Sequence, residues 1–201
     1  MSTNAIESES RRVMDVRRTI ALNLVVTVGL TLAITATFGK QRLFDLLQQG
    51  DPWPIQVMGG IGIGLLFTLP LWALVTRVRW FDAYYLQMIE LASRLDLRGF
   101  NPLWFSLCAG VGEELLFRGA VQPLAGLWLT SVIFTALHYQ TGGFRKMNLW
   151  KAIYALLIFL VSLGLGILSV RIGLIAAMVT HTFVDIVALM SLRTPRRASP
   201  P

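Results

Sequence analysis

Long uncharged apolar runs set the first limit on what this chain can become. Residues 19–38 (TIALNLVVTVGLTLAITATF), 52–76 (PWPIQVMGGIGIGLLFTLPLWALVT) and 152–170 (AIYALLIFLVSLGLGILSV) contain no charged side chain. A fourth run, 172–192, holds a single acid, Asp185. About 18 apolar residues suffice to cross the hydrocarbon core as a helix, and in lipid the backbone must satisfy its own hydrogen bonds. Only 14% of the 201 residues are charged, where a soluble domain carries about a quarter. These runs call for a bundle of membrane helices.

We expect an all-α, polytopic membrane bundle. Six transmembrane helices fall at roughly 19–38, 53–76, 102–120, 124–140, 149–170 and 172–192. The fourth is short, about 25 Å at 1.5 Å per residue. Pro123 is expected to separate the third from the fourth. Between the second and third lies WFDAYYLQMIELASRLDLRG (80–99), whose apolar residues recur at helical spacing between charges. It reads as an amphipathic helix at the interface, with a short seventh membrane segment as the alternative. The chain then divides into a cytoplasmic segment 1–18, membrane helices and interfacial helix over 19–100, a membrane core over 101–192 and a disordered tail over 193–201. The first apolar run could be a secretory h-region, but it is long for one, and TATFGKQ is a poor cleavage site. SRRVMD (10–15) has only a faint likeness to a twin-arginine signal, so a retained first span is expected.

The basic residues orient this map. With the N-terminus inside, fourteen Lys and Arg fall on inside segments and three, Lys40, Arg42 and Arg171, on outside ones. Arg118 remains within a span. Cytoplasmic loops collect Lys and Arg, so both termini are expected in the cytoplasm, in a bacterial plasma membrane. The net charge of +7 then follows from topology and contact with anionic lipid, and no nucleic-acid partner is expected. The one cysteine, Cys108, rules out an intrachain disulfide framework and a cysteine-rich zinc site. GGIGIG (59–64) and LGLGIL (163–168) read as surfaces of close helix approach, since neither follows a strand as a phosphate loop would.

Ionisable groups inside spans cost several kcal/mol, by order of magnitude, unless paired or solvated, and each is a candidate for function. They are Glu113, Glu114, Arg118, His138, His181 and Asp185, and they include both histidines of the chain. Glu114 and Arg118 stand four apart, on one helix face, and can pair. Glu113 lies about 100° around that helix and is left without that partner. His181 and Asp185 share a face, as do Phe134 and His138. Three helices can therefore point Glu113, His138 and His181 with Asp185 at one interior site. Plainer roles stand beside this one. The Glu114–Arg118 pair can be structural, a lone membrane histidine can bond a neighbouring helix, Asp185 can orient His181, Phe134 can be packing and Cys108 a buried thiol. Asn23 and Gln56 read as polar glue between helices. As a set, Glu, two His and Asp exceed what a bundle needs to hold together.

EELLFR fits E-E-x-x-x-R, FTALH fits F-x-x-x-H and HTFVD fits H-x-x-x-D/N, in that order on successive apolar helices. Over roughly residues 101–190 the chain resembles the CAAX prenyl protease type II and bacteriocin-processing (CPBP, or Abi) family of intramembrane proteases. The resemblance implies a catalytic core over 101–192 and an intramembrane endopeptidase. It implies Glu113 as general base for a water shared with His138, with His181 and Asp185 steadying the oxyanion. Glu114, Arg118 and Phe134 would support that site. The family often has Asn where this chain has Asp185, and a carboxylate cannot donate a hydrogen bond unless protonated. The expected substrate is a peptide or protein, lipidated or embedded in the bilayer.

The chemistry can be argued without the family. Peptide hydrolysis needs an activated water, a proton acceptor and donors for developing charge. Glu113, His138 and His181 could also hold zinc with one open position, although the chain lacks H-E-x-x-H. Metal-independent glutamate chemistry with no cofactor is expected, and zinc is the alternative. Two other functions compete: a non-catalytic immunity or scaffold protein of the same fold, and a proton- or metal-coupled transporter. Transporters commonly show two related halves, whereas here the ionisable groups all lie in the second half. Ideal helices with these ends leave Glu113 and His138 about 10 Å apart along the bilayer normal. Either the third helix runs past Gly119 towards Pro123 or the fourth is displaced.

Overall fold

The computed structural model describes residues 16–38, 43–82, 85–86, 88–89, 95–141 and 149–193. These are mostly helical. In chain order the elements are α1 (Val16–Phe38), the short α2 (Leu43–Leu47), α3 (Trp53–Arg77), a 3-10 turn (Arg79–Phe81), α4 (Asn101–Glu114), a π-helical segment (Leu115–Val121), α5 (Gln122–Thr141), α6 (Leu149–Arg171) and α7 (Leu174–Ser191). Five stretches are long and apolar enough to cross a membrane: Arg17–Phe38, Trp53–Arg77, Asn101–His138, Leu149–Arg171 and Leu174–Ser191. The protein is a polytopic helical bundle. Much of the interfacial helix expected over 80–99 lies outside the described residues, although Tyr85, Leu86, Met88 and Ile89 are helical. Residues 1–15 and 194–201 lie outside them too.

The long third stretch is where the expected boundaries need correction. Pro123 does not break the chain. The helix passes Gly119 through the π segment and into α5, and the break comes at Gly126, with φ 77° and ψ 168°. A π turn bonds each N–H five residues back, as Gln122 N–H does to Phe117 O. Its wider bore eases the clash a proline ring makes with the carbonyl four residues back. Gly126 adopts a backbone conformation essentially closed to residues with a Cβ. There the chain doubles back. Glu113 and His138 lie thirteen residues before and twelve after Gly126, and their side chains come within 3.6 Å. A straight helix would hold them about 37 Å apart. One 38-residue stretch thus supplies two helices that fold back on each other about Gly126.

α7 is the central helix. It packs on α3, α4 and α6, and Ala176 and Ala177 have no exposed surface. The glycine run of α3 does make a close approach, with Gly60 against Ala176 and Val179 and Thr180 Oγ1 donating to Gly60 O at 3.0 Å. Backbone donors at the buried start of α7 have no helical acceptor. Gln56 supplies one: its Oε1 accepts from Ile175 N (2.9 Å) and Ala176 N (3.4 Å). Its amide nitrogen donates to Gln49 O at 3.0 Å and Asp51 O at 2.7 Å, so this polar residue ties a loop, α3 and α7 together. On α1 the hydroxyls of Thr27, Thr31, Thr35 and Thr37 each donate to a carbonyl one turn back, which makes threonine tolerable in a span.

Candidate active site

The two adjacent glutamates divide their partners. Glu114 is fully buried, with Oε2 3.1 Å from Arg118 Nε and Oε1 2.8 Å from His181 Nδ1. Arg118 also donates through Nη2 to Ser162 O at 3.0 Å and Ser162 Oγ at 3.1 Å, which anchors α4 and the π segment to α6. Burying this ion pair is costly, and the added hydrogen bonds offset part of that cost. Glu113 takes the other histidine. Its Oε2 lies 3.6 Å from His138 Nε2, and its Oε1 accepts from Asn23 Nδ2 at 3.4 Å.

Hydrogen bonding assigns the ring protons. His138 Nδ1 lies 3.0 Å from Phe134 O, and a carbonyl only accepts, so Nδ1 carries a proton. In the neutral ring Nε2 then presents a lone pair towards Glu113. His181 Nδ1 faces a carboxylate and donates to it, leaving Nε2 directed to Asp185 Oδ2 at 3.6 Å. Phe134 is packing of a specific kind: 2% exposed, it stacks on His138 with centroids 4.2 Å apart and meets His181 edge-on at 6.0 Å. The Arg118 guanidinium sits 5.0 Å from the same ring. A single aromatic thus fixes the spacing of both histidines.

A cavity of about 290 Å³ opens beside these groups. Its walls come from α3, α5, α6 and α7 together with Tyr85, Met88 and Leu95 and are mostly apolar, with His138, His181 and Asp185 among the lining residues. Glu113 is not on its wall and meets it at His138. Cys108 is a part-exposed free thiol on α4. Among the described residues, no group of three His, Cys, Asp or Glu side chains has the arrangement to hold a metal ion.

All the site residues expected from the sequence are described, and they meet as Glu113–His138 and as Arg118–Glu114–His181–Asp185. Sequence reasoning missed that Glu114 holds His181, and it missed Ser162 altogether. No spacing rule could link Glu114 to a residue 67 positions away. A serine in an apolar run was the one signal for Ser162. Asn23 and Gln56, read from the sequence as polar glue, both bridge helices.

Residues 98–187 match the family model described as Rce1-like, type II CAAX prenyl endopeptidase. This segment contains all three motifs and runs from just before α4 into α7. The chain is also 27% identical over 165 residues to YpbD of Bacillus subtilis strain 168, an uncharacterized protein, spanning 80% of this chain and 82% of that one. No solved structure matches the chain.

Proposed function

We propose that the protein is a metal-independent intramembrane endopeptidase in which Glu113 and His138 activate a water. The contact between Glu113 Oε2 and His138 Nε2 carries this reading. At 3.6 Å the two are too far apart for a direct hydrogen bond, and both are acceptors when the ring is neutral. A water between them can donate one hydrogen to each, which leaves an oxygen lone pair free to attack. Its oxygen adds to the peptide carbonyl carbon while a proton passes to Glu113. The Nε2–H of a protonated His181 donates to the oxyanion while Glu114 holds the ring through Nδ1. The Asp185 carboxylate, 3.6 Å from Nε2, stabilises the imidazolium charge, which gives a carboxylate a role where a donor was expected. Glu113 then returns its proton to the departing amine nitrogen as the C–N bond breaks. The water's second hydrogen stays on the added oxygen, so the immediate products are a carboxylic acid and an amine, which exchange that proton to become a carboxylate and an ammonium.

The apolar cavity supports a substrate chain that enters from the bilayer, either membrane-embedded or lipidated. The likeness to prenyl endopeptidases supports the same class. The donor geometry supports glutamate chemistry over zinc: among the described residues no three His, Cys, Asp or Glu side chains have the arrangement to hold a metal ion. We place the protein in a bacterial plasma membrane with both termini cytoplasmic. The immunity, scaffold and transporter readings gain no support from the site.

The test uses internally quenched peptides, with and without a prenylated cysteine, and purified protein in lipid nanodiscs. Wild type should cleave, and Glu113→Gln should lower the rate by about 10²–10⁴-fold, the usual worth of a general base. Exhaustive chelation should leave wild-type activity intact. Cleavage by Glu113→Gln at the wild-type rate would refute the mechanism. Activity lost on chelation and restored by zinc would replace glutamate chemistry with metal chemistry and keep the peptidase.

A further inference from the structure

Asn23 stands on α1, outside the segment 98–187 that matches the family, yet its amide reaches Glu113. The contact has a defined direction. A carboxylate only accepts, so the nitrogen of the amide must face Oε1, at 3.4 Å. Asn23 Oδ1 points elsewhere, is buried, and has no partner among the described residues. A primary amide in a membrane span with half its polar atoms unpaired is costly, and a leucine there would face lipid or protein at no such cost. What the amide achieves is division of the carboxylate: Oε1 is engaged by Asn23, and Oε2 is presented to His138.

The backbone around Asn23 is built to bring it there. α1 packs on α4 and the π segment. Thr27 Oγ1 donates to Asn23 O at 2.7 Å, and the same hydroxyl lies against Gly112, where any Cβ would collide with it. Gly112 is the residue before Glu113. The close approach therefore occurs one residue from the proposed base, where a shift of α1 would move the amide most directly.

We propose that Asn23 is a positioning residue for the reaction: it fixes the rotation of the Glu113 carboxylate so that Oε2 meets the water held with His138. The N-terminal helix is then part of the active site rather than only a membrane anchor. This rests on the reading of Glu113 as the base.

Asn23→Leu keeps the bulk and removes the donor. On a quenched peptide that wild type cleaves, kcat should fall about 10–100-fold, as for a misplaced catalytic group, with KM changed by less than about twofold. In a Glu113→Asp background, where the carboxylate is already withdrawn from the amide, the same substitution should change kcat by less than about twofold. Thr31→Val disturbs the buried face of α1 without touching Glu113 and should leave kcat unchanged. A measurement without substrate runs beside these. Labelling of Glu113 by dicyclohexylcarbodiimide, read by mass spectrometry, should quicken in Asn23→Leu and not in Thr31→Val. Wild-type kcat and labelling in Asn23→Leu would overturn the proposal. So would an equal loss in Thr31→Val, or a full effect of Asn23→Leu in the Glu113→Asp background. Failure of the base reading itself shows separately, as activity retained by Glu113→Gln.

Discussion

Glu113 and Glu114 are chemically identical neighbours with unlike environments. A one-residue step turns the helix by about 100°, which sends Glu114 to Arg118 and His181 and Glu113 to His138 and Asn23. One carboxylate is closed in by charge partners, and the other keeps an oxygen for work. Arg118→Ala leaves Glu114 buried without its cation and removes the anchor to Ser162. We expect a loss of about 3–5 kcal/mol, seen as a large drop in thermal unfolding temperature in detergent. Glu113→Gln should unfold at the wild-type temperature. Arg118→Ala protein as stable as wild type would mean the pair contributes little to holding α4 against α6 and α7.

At the scale of elements, the hairpin about Gly126 does what two independent helices could not guarantee. It sets the level of His138 against Glu113 by counting residues, and it pairs Phe117 with Phe134 at 4.8 Å on the way. A Cβ at Gly126 would meet nothing within 4 Å, so any cost of Gly126→Ala is backbone strain alone. That strain should be about 1–3 kcal/mol. Relaxing it by rotating the turn would also part Glu113 from His138. The variant should therefore lose both stability and cleavage, followed by thermal unfolding and the quenched-peptide assay. Unchanged values for both would show that the turn tolerates a side chain and is not what sets the register.

For the whole molecule, the proposed topology of six crossings puts both termini on one side, and the fourteen-to-three bias of Lys and Arg makes that side the cytoplasm in this proposal. In a Cys108→Ala background, Gln48→Cys should react with an impermeant maleimide added to intact cells. Ser8→Cys and Ser199→Cys should react only after permeabilisation. If Asn101–His138 crossed as one straight span, the termini would lie on opposite sides and one of these two would label from outside. The interfacial expectation for 80–99 bears on the cavity at this scale too. Tyr85, Met88 and Leu95 line it, and Tyr85 Oη donates to Ser191 O at 3.2 Å, tying this region to the end of α7.

The class of fold was settled by the sequence alone, because a helix that must satisfy its backbone in lipid leaves a long apolar run as its record. The candidate residues were equally legible: a charge in such a run is costly enough that each one stands out. Spacing of four placed Glu114 with Arg118 and His181 with Asp185, since those contacts lie within one helix. Local rules failed at Pro123, where the propensity to break was overridden by a π segment that accommodates the ring, and at Gly126, whose reversal looks like any glycine in sequence. Partner choice across helices was beyond local rules as well. That Glu114 rather than Glu113 takes His181, that Ser162 receives Arg118, and that α1 reaches Glu113 through Asn23 all depend on how helices rotate and approach, which packing of the whole bundle decides.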